Sequence, residues 1–505
     1  MNFFLAVKIS VYLMTEEITK LLGGFMDFAL QAIDLARQLG AEYADIRIQY
    51  SRSERIYLQN TSIKGVNNSE LNGYGIRFFK EGAWGFASNY KFTADEVART
   101  VHRAKEIALN SARINRDRKL TLASERGYID EFRTLIVKDP FEIPLNEKVD
   151  LMLEVNKKMM SYDKVKRATF WLQSEYNDKV FASTLGSYIK SKTWLIEPTF
   201  TATVVGANDS QTRSLRPGAS SSGWEFIESL NVTAEADRVA REAIMKLEAD
   251  SLDGEARRDL VLDPAHLALT MHESVGHPTE LDRVLGWEAD FAGISFATPE
   301  KLKNYQYGTK DVNFCADNLL PNGLATAGYD DDGVPNQKWY IVKDGILNEY
   351  GTTRDTAPII GESMSRGCSR ATYYYDFPIN RIPNLYLEPG KEKLSPSDLI
   401  ADVEDGVFIE GQGSFSIDQH RVNFQFGGDM FWRIEKGKIT KPLKKILYRS
   451  NNPEFWNNVD GIADARFWKP WGVSNCGKGQ PGQTGRMTHG ASPTRFRNIR
   501  VGGSK

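Results

Sequence analysis

Arg258-Asp259-Leu260-Val261-Leu262-Asp263-Pro264-Ala265-His266-Leu267-Ala268-Leu269-Thr270-Met271-His272-Glu273-Ser274-Val275-Gly276-His277-Pro278 carries two elements and a change of period between them. Arg258 to Leu262 reads as a strand. Asp263-Pro264 is an N-cap followed by proline at the first helical position, so a helix starts there and runs through Leu267, Leu269 and Met271. Its end holds two of the chain's six histidines with a glutamate between them. A metal hydrolase needs imidazoles to hold an ion, a carboxylate to take a proton from water, and an open coordination position. The two histidines are at i and i+5. On an ideal helix that sets them about 140° apart, too far to share one ion. A π-type turn adds one residue and brings i+5 under i, and Pro278 disfavours the α conformation at His277. The spacing therefore predicts an irregular helix between Glu273 and Pro278. Read alone, the same residues also fit an ordinary polar helix end.

The chain outside this stretch supplies length and context. Its 505 residues suffice for two domains, each with its own core. Its composition and patterning divide it into an N-terminal extension at 1–25, an α+β domain at 26–253 and a β-rich domain at 254–505 that carries the metal helix. Net charge is −2, and no basic run interleaves with aromatics, so nucleic acid is not expected as a partner. Cys315, Cys368 and Cys476 are odd in number and far apart, which points to a reducing compartment, taken here as the cytoplasm. Phe3 to Met14 is apolar apart from Lys8 and Ser10, but it falls short of the ~20 residues of a spanning helix. It also lacks the marks of a signal peptide, and no membrane association is expected.

The N-terminal domain is expected as helices laid on a largely antiparallel sheet. Phe28, Ala29, Ala32, Ile33 and Ala36 recur at helical spacing before Gly40. Ala44 to Ile48 and Ile56 to Leu58 read as two strands, followed by a hairpin turning near Glu81-Gly82. Thr93 and Glu96 form a capping box that opens a helix to about Asn110. A further helix spans about Leu145 to Met160, and strands follow near Ala168 to Ser174, Val180 to Thr184 and Thr199 to Val205. Gly206 to Gly223 reads as a mobile connection, and Thr233 to Ala249 as a helix that carries the charge mixture of a solvated face. Beyond the metal helix, short strands separated by turn signals dominate, among them Lys338 to Val342, Ile382 to Leu387, Gly406 to Gln412, Arg421 to Phe426 and Asp429 to Ile434.

A catalytic zinc takes three protein ligands. The candidates for the third are Glu280, Asp282, Glu288, His420, Cys476 and His489. Cys476 has the best setting of the three cysteines, a glycine-rich loop in which Lys478 could favour the thiolate. Gly477-x-Gly479-x-x-Gly482 has dinucleotide-fingerprint spacing, but Pro481 interrupts it and too little chain follows to supply the acidic residue. His489 could orient a ligand from behind, whereas His102 and His266 read as solvated or structural. Arg366, Arg370 and Arg381 could bind a terminal carboxylate, although most such arginines are structural.

His272-Glu273-x-x-x-His277, the late Asn475-Cys476-Gly477-Lys478-Gly479-Gln480 loop and the terminal Ile499-Arg500-Val501-Gly502-Gly503 resemble the TldD/PmbA family of metalloproteases. So do Gly73-Tyr74-Gly75-Ile76-Arg77 and Arg381-Ile382-Pro383-Asn384-x-Tyr386-x-Glu388-Pro389-Gly390. The resemblance implies a zinc peptidase with His272, His277 and Cys476 as ligands of Zn2+ and Glu273 as general base. It further implies small or unfolded peptides as substrate, and a dimer, either of two copies or with a TldE/PmbA-like subunit. Pro278 departs from the family, where glycine is common at that position. Two other readings stay open: a non-proteolytic peptide-binding partner subunit, and a metal hydrolase of another amide.

Overall fold

The computed structural model describes residues 25–479 and 482–503. The expected extension therefore lies outside the described residues up to position 24, and residue 25 already opens a helix spanning 25–38. Among the described residues no helix is long and apolar enough to cross a membrane.

The N-terminal region is built on a seven-stranded sheet. Its strands are β1 (Tyr43–Gln59), β2 (Ser62–Lys80), β3 (Ala83–Asn89), β4 (Ile129–Arg133), β5 (Val165–Ser183), β6 (Tyr188–Val205) and β7 (Ser210–Leu215), in the order β3-β2-β1-β5-β6-β4 with β7 beside β6. All neighbours are antiparallel except β4 and β6. The hairpin from β2 to β3 turns through Glu81 and Gly82, both at positive φ.

Side-chain parity along β1 explains how this sheet is used. Ile46, Ile48, Ile56 and Leu58 share one face because side chains alternate along a strand, and all four are buried. Ile46 and Ile48 pack with helices 25–38 and Ala94–Ile114, whereas Ile56 and Leu58 pack with Leu145–Met160 and Val232–Glu248. The opposite face carries Asp45, Arg47 and Gln49 toward the C-terminal region. Arg47 donates to the Asp376 carbonyl at 2.6 Å and Gln49 to that of Thr372 at 3.2 Å. Arg77, across from Asp45, bridges that carboxylate at 2.6 Å and Asp332 at 2.7 Å.

Two expectations are corrected. The paired strands read at 44–48 with 56–58, and at 168–174 with 180–184, are single long strands, β1 and β5. The covering helices fall into two groups, and Tyr50, Arg52 and Glu54 between them are only partly buried, so the apolar alternation lapses without the strand ending. The connection read at Gly206 to Gly223 contains β7, which is pinned by Arg213 to Glu242 at 2.7 Å and to Asp429 at 2.8 Å.

The C-terminal region holds a six-stranded and a nine-stranded sheet. Glu255–Leu262 lies inside the larger one, parallel to Asp405–Glu410 and antiparallel to Thr494–Gly503. Lys469–Lys478 is the last strand of the smaller one and pairs with Gln483–Ala491. The helix that follows Leu262 packs between these sheets in the largest apolar core, with Leu267, Met271 and Val275 fully buried.

Candidate metal centre

The start of the helix is fixed as its sequence requires. The Asp263 carboxylate accepts from the backbone N–H of His266 at 2.7 Å and of Gly411 at 3.0 Å. The regular α-helix covers Pro264–Met271, a π-helical turn covers His272–Gly276, and a 3-10 turn covers His277–Thr279. Within the π turn the backbone N–H of His277 donates to the carbonyl of His272. This bond sets the two histidines over one another, with ring centroids 4.7 Å apart. Pro278 has no N–H to offer the carbonyl of Ser274, four residues back. That carbonyl accepts instead from Asn452 Nδ2 at 2.6 Å and from the Tyr307 hydroxyl. A Cβ at Gly276 would stand 3.0 Å from the Ile382 side chain, so the distorted turn also depends on the smallest residue.

Cys476, on strand Lys469–Lys478, completes the cluster. Its Sγ is 3.5 Å from His277 Nε2, and one potential ligand atom from each of His272, His277 and Cys476 lies within 4.8 Å of the others. All three side chains are buried. Burial opposes the Cys476 thiolate, but the proton it can share with His277 Nε2 and the charge of Arg381 favour it, and the thiol is held below its usual range.

Hydrogen bonds behind the imidazoles determine which nitrogens are free. His489 Nδ1 faces only a carbonyl, that of Leu385 at 3.2 Å, and must donate to it. Burial and the neighbouring His272 hold His489 well below its ordinary value, so it is neutral and its Nε2 accepts. The proton of the 2.8 Å bond between His489 Nε2 and His272 Nδ1 therefore belongs to His272, which leaves the His272 Nε2 lone pair free. His277 Nδ1 lies 2.8 Å from Glu280 Oε2, and donation to that carboxylate leaves Nε2 facing Cys476 Sγ. Burial disfavours the Glu280 charge, yet Lys478, His277 and Arg283 hold its carboxyl well below the usual range. Such outer hydrogen bonds fix imidazole tautomers in metal sites. Two neutral imidazole nitrogens and a thiolate-prone sulfur match the donor set of zinc.

Glu273 lies in the same cavity, of about 660 Å3, as His272, His277 and Cys476. Its Oε2 accepts from Arg421 Nη1 at 2.6 Å. Arg421 has a φ of +61°, a left-handed conformation that is unusual for an arginine and concentrates at functional sites. Its turn is held by Asp418, which accepts from the N–H groups of Val422 and Asn423.

Several candidates take other places. Glu280 stands behind His277. Asp282 pairs with Lys478 at 2.7 Å, and Glu288 accepts from the N–H of Gly479 at 3.3 Å. His420 is exposed on the turn before Arg421. Lys478, expected to favour the thiolate, is fully buried against Asp282, Glu280 and the Asn380 carbonyl. His102 is exposed, and His266 is buried and structural rather than solvated. Arg421 was missed. It is 148 residues from Glu273, and nothing in the local pattern of its turn marks it.

Comparison with known proteins agrees with this architecture. The PmbA/TldA metallopeptidase domain 1 matches residues 44–108, the central domain matches 138–248 and the C-terminal domain matches 255–503. A metalloprotease of Methanothermobacter thermautotrophicus is 28% identical over 468 residues, covering 92% of this chain and 96% of its own. A zinc metalloprotease TldD homolog of Saccharolobus solfataricus is 23% identical, covering 93% and 99%. The crystal structure of TldE from Thermococcus kodakarensis superposes with a TM-score of 0.71 at 16% identity, over 93% of this chain and 99% of that one, and so shares the fold. Three consecutive domain matches and relatives aligned over nearly their whole length place the chain in the PmbA/TldD metallopeptidase family.

Proposed function

We propose that the protein is a zinc-dependent metallopeptidase that hydrolyses peptide bonds of small or unfolded peptides, with Glu273 as general base. The observation that carries this reading is the convergence of His272, His277 and Cys476 beside Glu273, with the Nδ1 atoms of both histidines bonded from behind. A zinc ion held by these three donors would supply an activated water and polarise the substrate carbonyl. Glu273 takes the proton from the attacking water and delivers it to the leaving amine. Arg421 keeps the Glu273 carboxylate turned into the cavity, and His489 and Glu280 hold the imidazoles in the tautomers that bind metal. Strand Lys469–Lys478, at the edge of its sheet, carries Cys476 along the cavity wall. An extended peptide laid on that edge is held by main-chain hydrogen bonds, with little dependence on its sequence.

The three free cysteines fit a reducing, cytoplasmic setting. The shared fold with TldE supports a dimer, of two copies or with a TldE-like subunit, as part of this proposal. The decisive test is Glu273→Gln, which preserves shape and removes the base. Zinc content measured by plasma emission should be unchanged, and cleavage of an unstructured peptide should fall by about a hundredfold or more. Parent-level cleavage by this variant would sink the assignment.

A further inference from the structure

A second, smaller cavity of about 110 Å3 lies between the polar face of the N-terminal sheet and the C-terminal region. Lys179, Arg370, Arg381 and Arg486 line it, and no aspartate or glutamate does. Two of these cations have partners outside the lining: Lys179 with Asp331 at 2.9 Å and Arg486 with Glu175 at 2.5 Å. The other two have no carboxylate partner among the described residues. Arg370 donates to the carbonyls of Arg486 and Ile382, and Arg381 to those of Gln483 and Cys476. The Nε of each is unbonded, and Arg381 is 1% exposed. Burial, followed by the charge of Arg381, pushes Arg370 down to about 10, the behaviour of a cation lacking a counter-charge. Guanidinium groups suit carboxylates because their planar donors match both oxygens.

This cavity is linked to the metal centre. It shares Tyr373, Thr484 and Arg486 with a middle cavity of about 680 Å3. The middle cavity in turn shares Arg216, Val473 and Asn475 with the one that holds Glu273 and Cys476. Resting on the peptidase reading, we propose that Arg370 and Arg381, with Lys179, form a carboxylate site that takes the free C-terminus of a peptide whose scissile bond lies at the metal centre. The substrate is then measured from its C-terminus, and short peptides with a free carboxylate are preferred over internal segments of long chains.

The test compares one short unstructured peptide, dye-labelled at its N-terminus, as free acid and as C-terminal amide. Binding to the full chain is read by fluorescence anisotropy with a chelator present, so that no turnover intervenes. The acid should bind about tenfold more tightly than the amide. Arg370→Gln and Lys179→Met should each bring that ratio toward one with the circular dichroism unchanged. Arg381→Gln is the harsher variant because Arg381 also holds the Cys476 carbonyl, so the two milder variants decide the matter. Equal binding of acid and amide by the parent, or full acid preference in both milder variants, overturns the proposal. Cleavage of both peptides by the zinc-loaded chain is measured in parallel. An acid preference abolished by Arg370→Gln without any cleavage leaves the carboxylate site standing and removes the peptidase reading. Cleavage of both without acid preference does the reverse.

Discussion

The two ends of the helix that follows Leu262 hold buried histidines in opposite states. At the first turn both nitrogens of His266 are occupied, Nδ1 by the Gly411 carbonyl at 2.8 Å and Nε2 by the Tyr448 hydroxyl at 3.0 Å. At the distorted end His272 and His277 each have one nitrogen bonded from behind and one directed to the cluster with Cys476. Burial alone therefore does not distinguish a structural histidine from a candidate ligand; a second nitrogen turned to the cluster rather than to a protein oxygen does. The distorted end also shows two kinds of support. His272 rests on a neutral chain through His489 to a carbonyl, and His277 rests on a buried ionic group of Glu280, Lys478, Asp282 and Arg283.

Removing a donor at the distorted end should have the largest effect. If a zinc affinity of about 10–16 kcal/mol is shared by three side chains, His277→Ala costs about 4 kcal/mol, nearly a thousandfold in affinity. Competition with a chromophoric chelator measures it, and unchanged affinity would show that His277 is no ligand. Breaking the ionic support comes next. Lys478→Met leaves Glu280 and Asp282 buried without their ammonium partner, and the loss should be about 3 kcal/mol in urea unfolding. Adding Asp282→Asn should return part of it; strict additivity of the two changes would argue against the coupling.

The occupied end is tested by pH. Burial pushes His266 down to about 4, below its value of about 6.5 when unfolded. Because the folded value is the lower one, the stability is fully present above about pH 6.5 and is lost as pH falls toward about 4, where the loss reaches about 3 kcal/mol. The stability advantage of the parent over His266→Phe should shrink by that amount between pH 7 and pH 4 in chelator-treated protein. A constant difference would mean that His266 does not titrate in this way. The smallest effect is expected on the neutral support. His489→Phe removes one hydrogen bond from His272, worth about 1 kcal/mol of stability and about tenfold in zinc affinity. An effect as large as that of Lys478→Met would erase the contrast between the two supports.

Much of this arrangement is legible in the sequence. The capping by Asp263 and Pro264, the irregular turn after Met271 and the helix at Leu145–Met160 follow from local chemistry. The sequence pattern of β1 and β5 lapses where the covering helices leave a gap, because alternation reports burial and not pairing. β7 has no such pattern, because a short strand rich in Ser, Thr and Arg carries no apolar face to reveal it. Proximity in sequence sets Lys478 beside the thiol, whereas the fold turns that side chain to Glu280 and Asp282.

By itself, the sequence determined the shape of the helix end, since the His272 and His277 spacing, Gly276 and Pro278 act through backbone hydrogen bonds only a few residues long. Only the tertiary structure decided what meets it there. Cys476 comes from 199 residues away and Arg421 from 148. Sheet pairing and turn geometry bring them in, and contacts of that range leave no periodic mark on the segments that make them.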